Sequence, residues 1–486
     1  MPSVPHAVTV GFDLDMTLFD TRPGVKRVWE ALSASTQVYV DSELAVSRLG
    51  PPLAAEMAHW VPADRIDEYV ELYRALYPDY AIEPTVLLPG ARASLEAVRR
   101  AGGQVVVVTA KHPALAQRHV DHAGLTVDAV VGNLWGAGKA AALSAHSASV
   151  YVGDHVLDVA GARAAGAVAV AVATGPCSVE ELTAAGADVV LDDLTQFPAW
   201  FEGFLLDARV AALTERLREL GSVMVAFSGG ADSAFLLAAA ARVLGPDRVV
   251  AATAVSSSLP ARERDHARDI AEQIGVRHIE AVTAEMDRAG YRANAGDRCY
   301  FCKAELVDVL SPIAAEMGLA AVATGTNADD AAAGFRPGIR AAAERRAVTP
   351  LLDAGLTKAQ VRSVSRAWGL PTWDKPAAAC LSSRIAYGVE VTPQRLARVE
   401  RAELAVRRIL DSSGTRVEQL RVRDLGGTAR VELDRVSLAA VDGDAAMAAA
   451  LLRAVRDCGF EDGFVDPAGF RSGSMNELLA DPAQYR

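Results

Sequence analysis

Two series of short, uniformly apolar, β-branched runs constrain this chain more than any other feature. Each run alternates with a helix-patterned segment. The first series is Ala7–Leu14, Gln104–Thr109, Ser149–Gly153, Val168–Ala173 and Asp188–Leu191. Strands that are apolar on both faces and spaced by helices predict a parallel sheet covered on both sides. The second series is Ser222–Phe227, Arg248–Val255, Val276–Val282 and Ala320–Thr324, with Ala347–Leu351 as a further candidate. The expected fold class is α/β, with two doubly wound parallel-sheet domains. Between the first two strands, residues 22–84 are helical in pattern, with Gln37–Val40 the one candidate strand, and read as a helical cap. Residues Thr195–Arg209 are too apolar for a free linker and read as a packed connector helix. From Val391 the pattern changes. A helix at Pro393–Asp411 precedes Arg416–Asp424 and Ala429–Asp434, which flank Gly426-Gly427 as a hairpin. A helix at Asp444–Cys458 follows, so this part reads as a small α+β domain. The expected domains are 1–200, 213–390 and 391–486.

Composition bounds the function. At 486 residues the chain is long enough for three domains. Apolar residues at 51% and charged residues at 23% exclude a disordered chain. A formal charge of −12 argues against whole-chain attraction to nucleic acid or anionic membrane. Five cysteines in a long chain do not make a secreted disulfide framework. The first residues show no basic stretch followed by an apolar one, so no signal peptide is read. The alanine-rich run Val159–Gly175 is interrupted by Gly and Arg and reads as helix plus buried strand rather than a membrane span. The expectation is a soluble, cytoplasmic protein.

Asp13 and Asp15 stand two residues apart at the end of the first strand, at the sheet edge where ligands of open α/β sheets bind. With Asp154 and Asp158 they form an acid group that needs a cation or protonation to coexist. Such an oxygen-rich set suits Mg²⁺. Thr109 ends the second strand, where its hydroxyl could bond a phosphate, and Lys139 could neutralise negative charge. The ordered pattern of Asp13-Leu14-Asp15-Met16-Thr17, Thr109, Lys139 and Gly153-Asp154…Asp158 resembles the haloacid dehalogenase-like (HAD) phosphatases. The resemblance implies that Asp13 attacks phosphorus and that Asp15 is general acid, then base. It also implies that Asp13, the Asp15 backbone carbonyl and Asp154 hold Mg²⁺, with Asp158 supporting them. A degenerate domain that keeps acidic strand ends is the competing reading. Lys111 and His112 read equally as substrate contacts or a solvated loop, and His155 as a loop residue.

In the second half, Ser228-Gly229-Gly230-Ala231-Asp232-Ser233 joins a buried strand to an apolar helix. A Gly-Gly turn at a helix N-terminus lets backbone N–H groups approach an anion. No GK[ST] follows, so it is not the Walker-type loop. The segment resembles the PP-loop ATP pyrophosphatases, which cleave ATP to AMP and pyrophosphate. The implied ATP ligands are Ser228, Gly229, Gly230, Asp232 and Ser233, with Ala254–Ser256 edging the adenine. Further segments narrow this. They are Asp297–Lys303, Thr324–Asp330, Arg336-Pro337-Gly338, Thr349-Pro350-Leu351 with Gly355–Lys358, Trp373–Arg384 and Gly469–Glu477. Together they resemble the LarE-type ATP-dependent sulfur transferases of nickel-pincer nucleotide cofactor synthesis.

That resemblance implies the substrate pyridinium-3,5-biscarboxylic acid mononucleotide. Adenylation gives its carboxylate a leaving group, and Cys380 then attacks as thiolate. β-Elimination from the thioester leaves a thiocarboxylate and, in the sacrificial version, a dehydroalanine. Cys299 and Cys302 complicate this. In members that resemble cluster enzymes, Cys299, Cys302 and Cys380 would hold a 4Fe–4S centre with one open iron. Sacrificial use of Cys380, a zinc half-site, a reversible disulfide and an idle pair are the other readings. Cys177 and Cys458 read as small buried hydrophobes. Arg421 and Arg423 alternate on one strand, and Arg430 and Glu432 on the next. Surface salt bridges would explain them, whereas the resemblance favours binding of the substrate's anionic groups, with Glu432 beside them. Glu403 is a candidate acid/base or a solvated helix residue, and Lys303 a candidate contact to ATP phosphates or a surface lysine. The cofactors expected are ATP and Mg²⁺, with the cluster as above. The expected partners are a small nucleotide substrate and other enzymes of the same cofactor synthesis, with no nucleic acid. A homo-oligomer is the expected state. Two rivals remain. One is tRNA thiolation, which needs a basic RNA surface. The other is a degenerate phosphatase that only scaffolds the sulfur transferase.

Overall fold

The computed structural model describes residues 8–334, 336–376, 379–471 and 474–475. Ala7, Ala377, Ala378, Ser472, Gly473, Asn476 and Glu477, which belong to segments named above, lie outside the described residues. The chain forms two compact units, Met1–Ala208 and Arg209–Arg486.

The first unit is built on a six-stranded parallel sheet. Its spatial order is Ala129–Val131, Gln104–Val108, Thr9–Phe12, Ala148–Gly153, Val168–Val172 and Val189–Leu191. The strand at Thr9–Phe12 is central and wholly buried. Its chain therefore leaves the sheet in the middle of the C-terminal edge, which places Asp13 there. Phe12, Val107, Val152 and Val172 pack on one face with Phe197, Phe201 and Leu205. Val106, Val108, Leu143, Tyr151 and Val159 pack on the other. The edge strand Ala129–Val131 has only three half-buried residues, too short for a periodicity argument, and sequence reading missed it.

The cap insertion forms helices at Arg22–Thr36, Ser42–Ser47, Leu53–Met57 and Ile66–Tyr80. They enclose their own core of Val28, Trp29, Leu32, Met57, Tyr73 and Tyr77. A two-stranded antiparallel pair, Phe19–Asp20 with Val86–Leu87, closes its neck. Gln37–Val40 is not a strand. Gln37 ends the first cap helix in the left-handed conformation (φ 62°), and the chain turns there rather than extending.

The connector is a single helix from Phe197 to Leu220. It reaches well past Arg209, because no glycine or proline breaks it between Gly203 and Gly221. The run Val159–Gly175 is the helix end Val156–Ala164 followed by the strand Val168–Val172. Among the described residues, no helix is long and apolar enough to cross a membrane.

The second unit has a four-stranded parallel sheet in the order Arg277–Val282, Val249–Val255, Val223–Ala226 and Ala321–Thr324. Its Val223–Ala226 strand is again central. The helix Ala231–Leu244 buries ten residues, including Phe235, Leu236 and Leu237, each contributing about 1.5–3 kcal/mol by burial. Ala347–Leu351 does not form a strand. Val348 makes one isolated bridge to Ala323, and Pro350, which lacks an N–H, starts a short helix instead. The hairpin Leu420–Asp424 with Thr428–Leu433 gains a third, parallel strand, Asp462–Val465. Alternating exposed and half-buried positions in that edge strand hid it from sequence reading. The C-terminal helices and sheet share one core with Tyr291, Leu381 and Ile385, so residues beyond 391 pack with the segment that carries Cys380.

Candidate functional site

At the first sheet edge, ligand oxygens of Asp13, Asp154 and Asp158 lie within 4.8 Å of one another, and all three residues are buried. Lys139 Nζ reaches Asp13 at 2.7 Å and Asp158 at 2.6 Å, and is 1% exposed. It also donates to the Tyr151 hydroxyl (2.8 Å), which donates to the Val108 carbonyl (2.8 Å). Two glycines make this density possible. A Cβ on Gly153 would stand 2.5 Å from the Asp158 carboxylate carbon, and one on Gly175 would stand 1.9 Å from an Asp154 oxygen. The Asp158 carboxylate also accepts from the His155 N–H as helix Val156–Ala164 begins. His155 itself caps that helix through its ring nitrogen.

Three carboxylates and one ammonium leave a formal charge of −2 in a buried place. Burial pushes the Asp13 carboxyl up to about 7, against the pull of Lys139, and raises Asp154 well above the usual carboxylate range. A divalent cation is the group that this donor set fits.

Asp15 behaves differently. Its carboxylate accepts from the Thr21 hydroxyl (2.5 Å) and pairs with Lys111 (3.0 Å). Burial would raise it, but Lys111 and the two hydrogen bonds outweigh that and hold it below its ordinary value. Its side chain is thus outside the acid triad, and any metal role falls to its backbone carbonyl. Lys111 is no solvated loop residue. It is half-buried, donates to Tyr77 of the cap (2.7 Å), and Tyr77 bonds the buried His119 (2.9 Å). Thr109 is fully buried at the strand end, with its hydroxyl accepting from the Lys111 N–H. Thr17, whose hydroxyl donates to Asp154 (2.9 Å), and Tyr151 carried no prior signal beyond their positions in a motif and a strand.

At the second sheet edge, Gly229 adopts φ +65°, and a Cβ there would meet the Ala267 backbone at 3.1 Å. Only glycine suits both conditions. The Ser228 and Ser233 hydroxyls are 3.1 Å apart and close the turn, and the helix starts at Ala231. Asp232 is held by Asn327 (3.1 Å) with Lys358 at 3.9 Å, and burial raises its carboxyl above the ordinary value. The cleft beside the turn is lined by Ser228, Gly230, Asp232, Ser233, Lys303 and Asp330. Burial lowers Lys303 from the usual lysine value.

The Cys380 segment is tied to this same edge. The Leu381 N–H donates to the Ser258 carbonyl (2.9 Å), just past the Val249–Val255 strand. Lys375 donates to the Gly229 carbonyl (3.0 Å) and pairs with Glu263 (2.8 Å). Arg384 donates to the carbonyls of Ala379 and Cys380 and to Glu403 (3.0 Å). Glu403 also accepts from the Val422 N–H (3.1 Å). It is therefore a half-buried, bonded residue rather than a free surface acid, and it orients Arg384. A buried node completes the loop. Arg298 donates to the Asn294 side chain and the Ser382 carbonyl, and the Tyr291 and Ser382 hydroxyls are 2.6 Å apart.

Arg298 begins the helix that carries Cys299 and Cys302, so the three thiols share one neighbourhood. Burial, followed by the charges of Cys380 and Glu285, pushes Cys302 up to about 12. The sulfurs do not all come within 4.8 Å of each other, as the acids of the first unit do. A cationic cluster would relieve the mutual repulsion of three thiolates, so these donors fit one. Cys177 and Cys458 are half-buried and free.

The arginines divide. Arg423 and Arg430 both pair with the fully buried Glu432, at 2.8 and 2.9 Å. This is a buried network rather than a surface pair, and Arg423 also donates to the Ser383 carbonyl (3.0 Å). Among the described residues, Arg421 donates to the Leu420 carbonyl (2.7 Å), with the Phe470 ring 5.4 Å away. Burial and then Arg384 push it down to about 10. An anion placed there would be stabilised.

The family model for haloacid dehalogenase-like hydrolases matches residues 10–163, and the asparagine synthase model matches residues 205–437. Pyridinium-3,5-bisthiocarboxylic acid mononucleotide synthase of Lactiplantibacillus plantarum is 35% identical over 277 residues, 56% of this chain and 96% of that protein. An uncharacterized Synechocystis protein is 40% identical over 275 residues, 57% of this chain and 99% of that protein. Phosphoglycolate phosphatase of Caulobacter vibrioides is 31% identical over 222 residues, 40% of this chain and 90% of that protein. The chain belongs to the haloacid dehalogenase-like hydrolases through its first unit, and through its second to the LarE-like PP-loop sulfur transferases that include the pyridinium-3,5-bisthiocarboxylic acid mononucleotide synthase.

Proposed function

We propose that the second unit adenylates a carboxylate of pyridinium-3,5-biscarboxylic acid mononucleotide and converts it to a thiocarboxylate, and that the first unit is a Mg²⁺-dependent phosphomonoesterase. The observation that carries the sulfur-transfer reading is the anchoring of the Cys380 segment to the Ser228–Ser233 turn through Lys375 and Gly229. It joins a phosphate-binding turn to a cysteine, which is the pairing that adenylation followed by thiolysis needs.

In this reading the turn's N–H groups and the helix N-terminus hold the ATP phosphates, helped by Lys303. The substrate carboxylate attacks the α-phosphorus and releases pyrophosphate. The Cys380 thiolate displaces AMP to form a thioester. Loss of the Cα proton and cleavage of the Cβ–S bond leave dehydroalanine and the thiocarboxylate. Arg384, oriented by Glu403, fixes the Cys380 carbonyl, and Arg421 receives an anionic group of the substrate. The alternative to that sacrificial route keeps Cys380 intact: Cys299, Cys302 and Cys380 would hold an iron–sulfur cluster, which would supply sulfide in place of the cysteine's own sulfur.

In the first unit Asp13, steered by Lys139, attacks phosphorus to give an aspartyl phosphate, and Asp15, which takes up a proton once the substrate phosphate draws Lys111 from it, passes that proton to the leaving alcohol and then activates water. Mg²⁺ held by Asp13, Asp154 and Asp158 would neutralise charge on the phosphate.

Incubation of the full chain with ATP and the biscarboxylate tests the main reading. Pyrophosphate release that depends on the biscarboxylate, with a 16 Da mass gain in the product as sulfur replaces oxygen, is expected (about 16 Da per exchange). Pyrophosphate release that ignores it would overturn the assignment. The phosphatase reading is tested separately, by phosphate release from a panel of phosphomonoesters that disappears in Asp13→Asn.

A further inference from the structure

One cap residue reaches the reacting groups of the first unit through a chain of hydrogen bonds. Tyr77 is buried on the cap helix Ile66–Tyr80. Its hydroxyl oxygen is 2.7 Å from Lys111 Nζ and 2.9 Å from His119 Nε2. Those partners come from the core, 34 and 42 residues later in the chain.

Proton counting fixes the direction of the chain. An ammonium only donates, so the Tyr77 oxygen accepts from Lys111 and its single proton goes to His119. The imidazole is then neutral, with its own proton on Nδ1. Burial, followed by the charge of Lys111, keeps it so and pulls His119 down to about 3. His119 lies on the core helix Pro113–His122, with the Phe19 ring 5.6 Å away, and gives Tyr77 a fixed support. At the other end, Lys111 pairs with Asp15 Oδ1 (3.0 Å), the same oxygen that accepts from Thr21 (2.5 Å). Asp15 therefore keeps an anchor in Thr21 when Lys111 leaves it. Of the three ammonium protons, one goes to Tyr77 and one to Asp15, and the third remains for a phosphate oxygen in the cavity that Lys111 and Asp15 line.

We propose that Tyr77 is a positioning residue of the phosphatase: it is the pivot on which the Lys111 ammonium turns from Asp15 to the substrate phosphate. The inference rests on the phosphomonoesterase reading above. With the pivot in place, Lys111 moves onto the phosphate and the Asp15 carboxyl, still held by Thr21, is open to the leaving oxygen. The ester P–O bond then breaks as the Asp13 oxygen bonds phosphorus, and the Asp15 proton passes to the alcohol. Asp15 next takes a proton from the water that displaces Asp13 from phosphorus. Without the Tyr77 hydroxyl, the ammonium keeps Asp15 as its partner and stands in the way of that proton transfer.

Leaving-group dependence tests this with the full chain and Mg²⁺. An alkyl alcohol must be protonated as it leaves, whereas p-nitrophenolate leaves without help. The alkyl phosphomonoester that the wild-type chain cleaves fastest in the panel above is compared with p-nitrophenyl phosphate. In Tyr77→Phe, the ratio of kcat/KM for the alkyl ester to that for p-nitrophenyl phosphate should fall about ten- to a hundredfold, as for a misplaced reacting group. In a Lys111→Met background the same substitution should change that ratio less than about twofold, because Tyr77 acts through Lys111. If Tyr77→Phe does not fold, His119→Leu, which removes the acceptor of the Tyr77 proton, should lower the ratio, and His119→Gln, which keeps an acceptor, should preserve it. Equal loss on both esters, or an undiminished effect without Lys111, overturns the pivot and leaves the phosphatase intact. Wild-type cleavage of p-nitrophenyl phosphate but of no alkyl ester also overturns it. Release of phosphate from no monoester sinks the phosphatase reading and this inference with it.

Discussion

The two sheet edges do comparable work with opposite electrostatics. In the first unit, three buried carboxylates crowd one lysine, and burial, with the charges of Asp158 and Asp15, lifts Asp13 to about 7 against the pull of Lys139. In the second, the Ser228–Ser233 turn offers backbone N–H groups and hydroxyls, and cations stand beside it on separate segments: Lys303 and Lys375. The first arrangement suits a cation that then recruits phosphate, whereas the second suits an anion directly. In the proposed function, one chain would handle phosphate at both edges while each site selects a different partner.

Removing the reacting groups should separate the two sites most sharply. Asp13→Asn should lower phosphate release by at least about a thousandfold and leave adenylation unchanged. Loss of both activities would break the division into independent sites. Cys380→Ala should abolish thiocarboxylate formation, a drop of comparable size, while biscarboxylate-dependent pyrophosphate release persists. Iron and sulfide analysis of the same anaerobic variant addresses the cluster: a full complement retained without Cys380 would exclude a three-cysteine ligand set.

The next effect is on stability. Lys139→Met leaves Asp13 and Asp158 without their shared cation and should destabilise the first unit by about 3–5 kcal/mol, read as a lower melting temperature. Mg²⁺ should recover part of that loss, and EDTA should deepen it. A similar truncation at Arg421 should cost almost no stability, because this cation has no carboxylate partner among the described residues. Arg421→Met should instead raise the KM for the biscarboxylate roughly ten- to a hundredfold, as for loss of a charged contact, with the KM for ATP unchanged. The smallest effect is expected at Glu403. Glu403→Gln keeps the bond from Val422 but weakens the grip on Arg384, so kcat should fall several-fold with little change in KM. A pH-dependent rescue of Glu403→Gln by small carboxylic acids would instead restore a direct acid/base role.

Legibility differed by site. The Asp13 and Ser228 motifs are contiguous stretches on a strand–turn–helix path, so their place at a sheet edge follows from local pattern. Lys111 was undecided in sequence, because a loop lysine is solvated by default. Only its approach to Asp15 and to Tyr77, 34 residues earlier, buries it. Glu432 looked like half of a surface pair, since alternation assigns a face to a side chain but does not say what covers that face. Arg423, Arg430 and Ser474 cover it completely. Gly175 carried no signal at all. Its role is to leave room for Asp154, a residue 21 positions earlier that meets it only through the sheet.

The short strands Ala129–Val131 and Asp462–Val465 were not determined by the sequence, whereas the alternation of helices with the main parallel strands, the Asp13 and Ser228 turns and the identity of the chemical groups already were. They depend on periodicity, turn chemistry and side-chain type, all of which act over a few residues. The tertiary structure decided which charges are compensated. It paired Lys139 with two acids, tied Glu403 to Arg384, buried Glu432, left Arg421 without a carboxylate pair among the described residues and brought the three cysteines into one neighbourhood. The reason is that burial and Coulombic interaction depend on distance through space, and those distances exist only once segments far apart in the chain have packed.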